Sequence, residues 1–161
     1  MVQTTYKYST PLGQPGGLYD MSWHEIDSFQ NQENDGVMKF GMGVVQGTSA
    51  GKQVKVPVAA STAAVFEGIV VNKPASENTM NGGPQIRNKA TVGVMRYGRI
   101  YGLLATGVTP TYGAAVYMVK SGDEAGCFTT SSDGTVAIKG RFLGAGADGI
   151  APIELFNQAQ S

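Results

Sequence analysis

From residue 36 onward the chain reads as short apolar or alternating runs separated by glycine-marked turns. Residues 37–46 (VMKFGMGVVQ) alternate loosely and end in the turn cluster 47–51 (GTSAG). Residues 53–58 (QVKVPV) read as a short strand whose Pro57 suits an edge or a strand end. Residues 64–72 (AVFEGIVVN) carry Gly68 in mid-run, the mark of a bulge. Residues 73–88, with Pro74, Gly82, Gly83 and Pro84, predict a long exposed loop. The densest strand signal is 91–104 (TVGVMRYGRIYGLL), built of β-branched, aromatic and small residues. Tyr97-Gly98 sits at its midpoint, where a tight turn needs positive φ, so a β-hairpin is predicted. Runs at 114–120, 126–129, 135–143 and 149–156 follow, with Asp133-Gly134 as a hairpin turn. That makes about nine short strands with the turn spacing of sandwiches and barrels. No segment after residue 35 has a helical period. The expectation is an all-β fold, a small antiparallel β-barrel or jelly-roll-like sandwich over residues 36–157, with a short tail at 158–161.

Residues 1–35 differ. They hold Pro11, Pro15, Gly16-Gly17 and a polar stretch from Ser28 to Asp35, together with the large side chains Tyr6, Tyr8, Leu12, Tyr19, Trp23 and Phe29. The first twenty lack sustained periodicity, which predicts an extended arm. Ser22-Trp23-His24-Glu25 has the form of a capping box, and Trp23, Ile26 and Phe29 recur every third residue. A short helix near 22–29 is therefore expected. Such an arm gains order by laying its aromatics on a surface, its own domain or another's.

Composition narrows the class. Hydrophobic residues make up 42 % of the chain, enough for one core, and charged residues only 15 %. Twelve basic residues balance twelve acidic ones with no basic stripe, which argues against a nucleic-acid partner. A neutral, sparsely charged surface tolerates close packing in an assembly. The 23 glycines are scattered among apolar runs, as many turns and bulges require. The single cysteine, Cys127, cannot form an internal disulfide. No apolar run approaches the roughly 18 residues of a membrane span, and no signal peptide is visible, so a soluble product of a cytoplasm is expected.

Candidate chemistry is sparse. Residues 144–149 (GAGADG) match the dinucleotide-binding spacing, but that motif needs a helix after its last glycine, and here Ile150-Ala151-Pro152-Ile153 follows. A turn between the last two strands is the better reading. His24 is the only histidine, and with Cys127 it is too little for a zinc site or a catalytic triad. Asp123-Glu124 share a turn, while Glu67 and Glu154 stand alone in strands. Tyr97, Tyr101, Tyr112 and Tyr117 could form a sugar-stacking face, which keeps a carbohydrate-binding module (a host adhesin or tail-associated domain) as the alternative reading. No catalytic, cofactor-binding or metal-binding residue is identified, and no enzyme activity is expected.

The ordered pieces resemble a known family, the cement or decoration proteins of tailed-bacteriophage capsids. They are Ser9-Thr10-Pro11, Gly16-Gly17 and Asp20 in the arm, then 40–46 (FGMGVVQ) and 66–71 (FEGIVV). After these come 92–101 (VGVMRYGRIY), 113–117 (GAAVY) and 149–155 (GIAPIEL). The resemblance implies a non-enzymatic β-domain on the outer capsid surface of the virion, made in the host cytoplasm, bridging neighbouring major capsid proteins and forming dimers or trimers with copies of itself. No cofactor, nucleic acid or membrane is implied. Tyr6, Tyr8, Leu12, Tyr19, Trp23, Ile26 and Phe29 in the arm, with Arg96 and Arg99 beside Gly98, are the expected partner contacts.

Overall fold

Thirteen consecutive residues, Thr91–Leu103, form one strand that pairs with one set of neighbours along its first half and another along its second. The computed structural model describes residues 13–72, 77–78 and 84–156. Its strands are β1 (Glu25–Asn31), β2 (Gly43–Gln46), β3 (Gln53–Lys55), β4 (Phe66–Val70), β5 (Glu77–Asn78), β6 (Pro84–Gln85), β7 (Thr91–Leu103), β8 (Ala115–Val119), β9 (Phe128–Thr129), β10 (Thr135–Phe142) and β11 (Ile150–Leu155). Nine belong to one sheet, ordered β1-β3-β2-β4-β7-β11-β10-β8-β9, and β5 and β6 pair only with each other. The fold is all-β.

β1 also pairs with β7, from Glu25 opposite Tyr97 to Gln30 opposite Thr91, so β1, β3, β2, β4 and β7 close a five-stranded barrel. Closure removes the open edges that would otherwise template aggregation. The barrel core holds Phe29, Met38, Phe40, Val44, Val54, Val70, Ile86, Val92 and Val94. The remaining strands extend from the second half of β7, where β11 pairs with residues 98–103. Leu104 bridges Phe128 in parallel, and the Ala105 N–H donates to the Phe128 carbonyl at 2.9 Å. This second sheet thus curls back to the end of β7. A separate core fills the space it encloses against the barrel, centred on Met95, Ile100, Met118, Phe128, Phe142 and Ile153. Each such side chain, fully buried, contributes about 1.5–3 kcal/mol of transfer free energy.

Three sequence expectations are corrected. The predicted hairpin over 91–104 is a single strand, and Gly98 is a kink within it, not a turn. Gly98 has φ +128°, and a Cβ there would lie 2.6 Å from the His24 Cβ. The positive-φ signal was real, but a strand can absorb it as an irregularity as readily as a turn can. The helix expected near 22–29 is also absent: residues 25–31 are β1, and Ser22 caps nothing. Instead the Ser22 N–H donates to Asp20 Oδ1 at 3.0 Å, a local turn that competes with helix initiation. Residues 25–31, near the C-terminal end of the expected arm, build the barrel wall. Two expectations hold: Gly68 sits at an irregularity of the β2–β4 pairing, and residues 144–149 turn between the paired β10 and β11; Asp133-Gly134, expected as a hairpin turn, instead joins β9 to β10, which lie on opposite sides of β8.

Buried polar groups are accounted for at the barrel end. Asn31 accepts from the Glu33 N–H at 2.9 Å and donates to the Arg87 carbonyl at 2.9 Å, tying β1 to the segment before β7. Sharing of that kind satisfies a buried amide without a helix or ladder.

Candidate functional site

Among the described residues no three His, Cys, Asp or Glu side chains are placed to hold a metal ion. Nor is any described helix long and apolar enough to cross a membrane. His24 uses Nδ1 to donate to the Ser22 carbonyl at 2.9 Å. Cys127 is half-buried, and burial pushes its thiol pKa up, away from the reactive thiolate. The four tyrosines do not make one exposed face: Tyr101 is buried, with Tyr19 tilted on it at 5.7 Å between ring centroids, and Tyr112 lies under the Arg141 guanidinium at 5.2 Å.

What stands out is the run 18–26, whose two ends lie antiparallel along β7 while residues 20–24 loop out between them. Residues 16–19 continue the line of β1: Gly16 N–H donates to the Tyr101 carbonyl at 2.8 Å, Tyr101 N–H to Gly17 at 3.0 Å and Tyr19 N–H to Arg99 at 3.1 Å. Gly16 is required there, because with φ +72° a Cβ would lie 2.7 Å from the Asn72 nitrogen and the Val70 oxygen. Backbone bonds anchor the run at Leu18-Tyr19 and again from Glu25, and the residues between them, with Met21 and Trp23, loop out past Gly98. Trp23 is 76 % and Met21 88 % exposed, and Leu18, Tyr19, Ile26 and the facing Tyr97 are also exposed. Trp23 and Tyr97 flank a hollow of about 100 Å³ floored by Gly98 and Leu155. Scattered exposed apolar residues are ordinary, whereas several large ones in nine consecutive positions make a patch that favours a partner.

A charged ladder borders the patch. Arg99 on β7, Glu154 on β11 and Arg141 on β10 are cross-strand neighbours. Arg99 donates to Asp20 at 2.8 Å and lies 3.8 Å from Glu154, which Arg141 contacts at 3.1 Å. Hydrogen bonds from Ser22, then Arg99, hold the Asp20 carboxyl below the usual carboxylate range, and Asp20 raises the Arg99 pKa. The ladder clamps residues 20–22 onto β7 beneath Trp23. Exposed pairs of this kind contribute at most about 1 kcal/mol each.

On the other side of Tyr97 lies a polar cleft of about 380 Å³ lined by Asp27, Ser28, Gln46, Glu67 and Arg96. Two pairing irregularities shape it. Phe66 and Gly68 both find partners on β2 while Glu67 is skipped, and Met95 and Tyr97 find partners on β1 while Arg96 is skipped. Bulged residues of this kind re-aim their side chains. Arg96 stands 3.4 Å from Asp27 and 3.9 Å from Glu67.

Of the residues expected to meet a partner, Tyr19, Trp23 and Ile26 are exposed on the patch, whereas Phe29 is buried in the barrel core. Arg96 and Arg99 each face carboxylates of their own chain. Tyr6, Tyr8 and Leu12 lie outside the described residues. Leu18 and Met21 were missed as surface groups, since pattern alone does not tell an outward apolar residue from an inward one, and Tyr97 was read only as part of a sugar-stacking face. Glu67 had a legible signal, a carboxylate inside an apolar strand directly before a glycine.

A family described as Structural cement protein (E217 gp24/Pam3 gp6) matches residues 2–156. Five chains of solved structures match as well. One, from "The capsid of Myoviridae Phage XM1", is 18 % identical, with 96 % of each chain covered and a TM-score of 0.73. At that identity the likeness is one of fold. None of the curated proteins compared with the chain matches it.

Proposed function

The chain belongs to the phage structural cement protein family, and from that premise we propose that it binds the outer surface of an expanded tailed-phage head and joins neighbouring major capsid proteins. The family is structural, which implies a non-enzymatic, capsid-associated role in the virion. The observation that carries the finer reading is the exposed run 18–26, with Met21 and Trp23 standing out from a loop whose two ends are bonded to β7. A rigid aromatic anchor ringed by polar groups has the composition of an interface hot spot. Repetition around a shell lets modest affinity per contact act through many simultaneous contacts. The protein, made in the host cytoplasm, docks as dimers or trimers, with Tyr19, Trp23 and Ile26 as the capsid contacts and Tyr6, Tyr8 and Leu12 joining them from the preceding segment.

Cosedimentation of the purified protein with undecorated expanded capsids tests this. Saturable binding at a fixed ratio to the major capsid protein is expected. No cosedimentation at any concentration overturns the reading.

A further inference from the structure

Oxidation of a methionine requires that its thioether sulfur meet solvent, and the described methionines divide sharply on that point. Met38, Met42, Met95 and Met118 are buried, and the Met42 sulfur also accepts the Lys39 N–H at 3.1 Å. Met21 is 88 % exposed, the most of any large apolar residue among those described. Met1 and Met80 lie outside the described residues. Local bonding presents Met21 in this way. The Ser22 N–H donates to Asp20 Oδ1 at 3.0 Å, so Met21 sits at the apex of a turn that its two neighbours close. Arg99 ties Asp20 down at 2.8 Å. The thioether therefore stands between the exposed Tyr19 and Trp23, in the middle of the apolar run, where a sulfur lends itself to an adaptable contact.

We infer that Met21 is an oxidation site that controls docking: its sulfoxide weakens capsid binding, and the bound capsid shields its sulfur. The inference rests on the capsid-binding reading. The oxidant is a hydroperoxide. The thioether sulfur gives an electron pair to one peroxide oxygen, the O–O bond breaks and an S–O bond forms; with hydrogen peroxide, water leaves. Sulfur loses two electrons and the peroxide gains them. The product puts a polar group where the patch offers apolar surface. In the free protein that change costs little, because the side chain already stands in water. In a covered contact the sulfoxide oxygen has to give up its water, and without a donor opposite it the complex is weakened. Shielding follows from the same contact, since peroxide attacks only a sulfur that it can reach.

The test treats the full chain with dilute hydrogen peroxide and removes the peroxide before capsids are added. Peptide mass spectrometry should find one added oxygen at Met21 while the four buried methionines stay reduced. The oxidised protein should bind undecorated expanded capsids at least about tenfold more weakly than the reduced protein. Its own melting midpoint should shift by no more than about 2 °C. Met21→Leu keeps the apolar volume, and peroxide treatment should leave its binding unchanged although Met1 and Met80 are still present. When peroxide is added to protein already bound to capsids, Met21 should oxidise more slowly than in the free protein. Undiminished binding by protein carrying the Met21 sulfoxide overturns the inference and leaves capsid binding intact. Loss of binding by peroxide-treated Met21→Leu assigns the effect to another residue and overturns it as well. Oxidation of Met21 at an unchanged rate on the capsid, or a midpoint lowered by 5 °C or more, does the same. Failure of the reduced wild type to bind overturns the capsid reading instead.

Discussion

Replacing Trp23 with alanine separates folding from docking, because the indole contributes little to the free protein. With the residue 76 % exposed, its removal opens no cavity, and the thermal midpoint should shift by no more than about 2 °C. A tryptophan side chain can bury about 150–250 Å². With three quarters of the residue still available, a surface that covers it completely removes about 150 Å² from water. At about 25 cal/mol per Å² this sets a ceiling near 4 kcal/mol. Hot-spot truncations cost about 2 kcal/mol or more, so the expected loss is about 2–4 kcal/mol. That corresponds to roughly thirty- to a thousandfold in Kd per site. The assay is a titration of undecorated expanded capsids followed by sedimentation, with bound and free protein quantified, alongside a melting curve of the free variant. Wild-type binding by the variant would refute the assignment of the patch. A midpoint lowered by 5 °C or more would show that Trp23 serves the fold instead.

Three further predictions address the scaffold. Gly98→Ala forces a side chain onto φ +128° and against His24, a cost of about 1–3 kcal/mol; at about 2–4 °C per kcal/mol for a chain of this size, calorimetry should find a midpoint lower by roughly 2–12 °C. Phe128→Ala removes a fully buried ring from the second core and should cost about 3–5 kcal/mol in a denaturant titration. The clamp of Asp20 on Ser22 and Arg99 depends on ionised Asp20, whose pKa is lower folded than unfolded. Its contribution is therefore complete above the unfolded value near pH 4 and disappears as pH falls through the lower folded value. Tryptophan fluorescence of Trp23 should report this acid transition, and Asp20→Asn should abolish it.

The sequence disclosed the strands more fully than their partners. Alternation in Thr135–Phe142, with Val136, Ile138 and Phe142 inward, is legible because one face meets core and the other water. The stretch 91–103 was equally clear as β but not as one strand, because Gly98 signals positive φ without saying whether the chain reverses there. At residues 22–29 the three-residue spacing of Trp23, Ile26 and Phe29 imitated a helix; only Phe29 turned out to face the core. What made the segment a strand is pairing with β7 more than sixty residues on, a tertiary contact that local propensity does not encode. The site shows the same limit. Trp23 and the two arginines were visible as residues, but their roles depend on Asp20, Asp27, Glu67 and Glu154, brought near by strand register alone.

The most direct measurement of cementing is the melting temperature of undecorated expanded capsids as a function of added protein. A ligand that binds the assembled shell and not its separated subunits stabilises it by about 2.7 kcal/mol per site at a hundredfold excess over Kd. The capsid transition should rise with protein concentration and level off when the sites are full. A transition that stays at its original temperature with the protein bound to saturation would contradict the account.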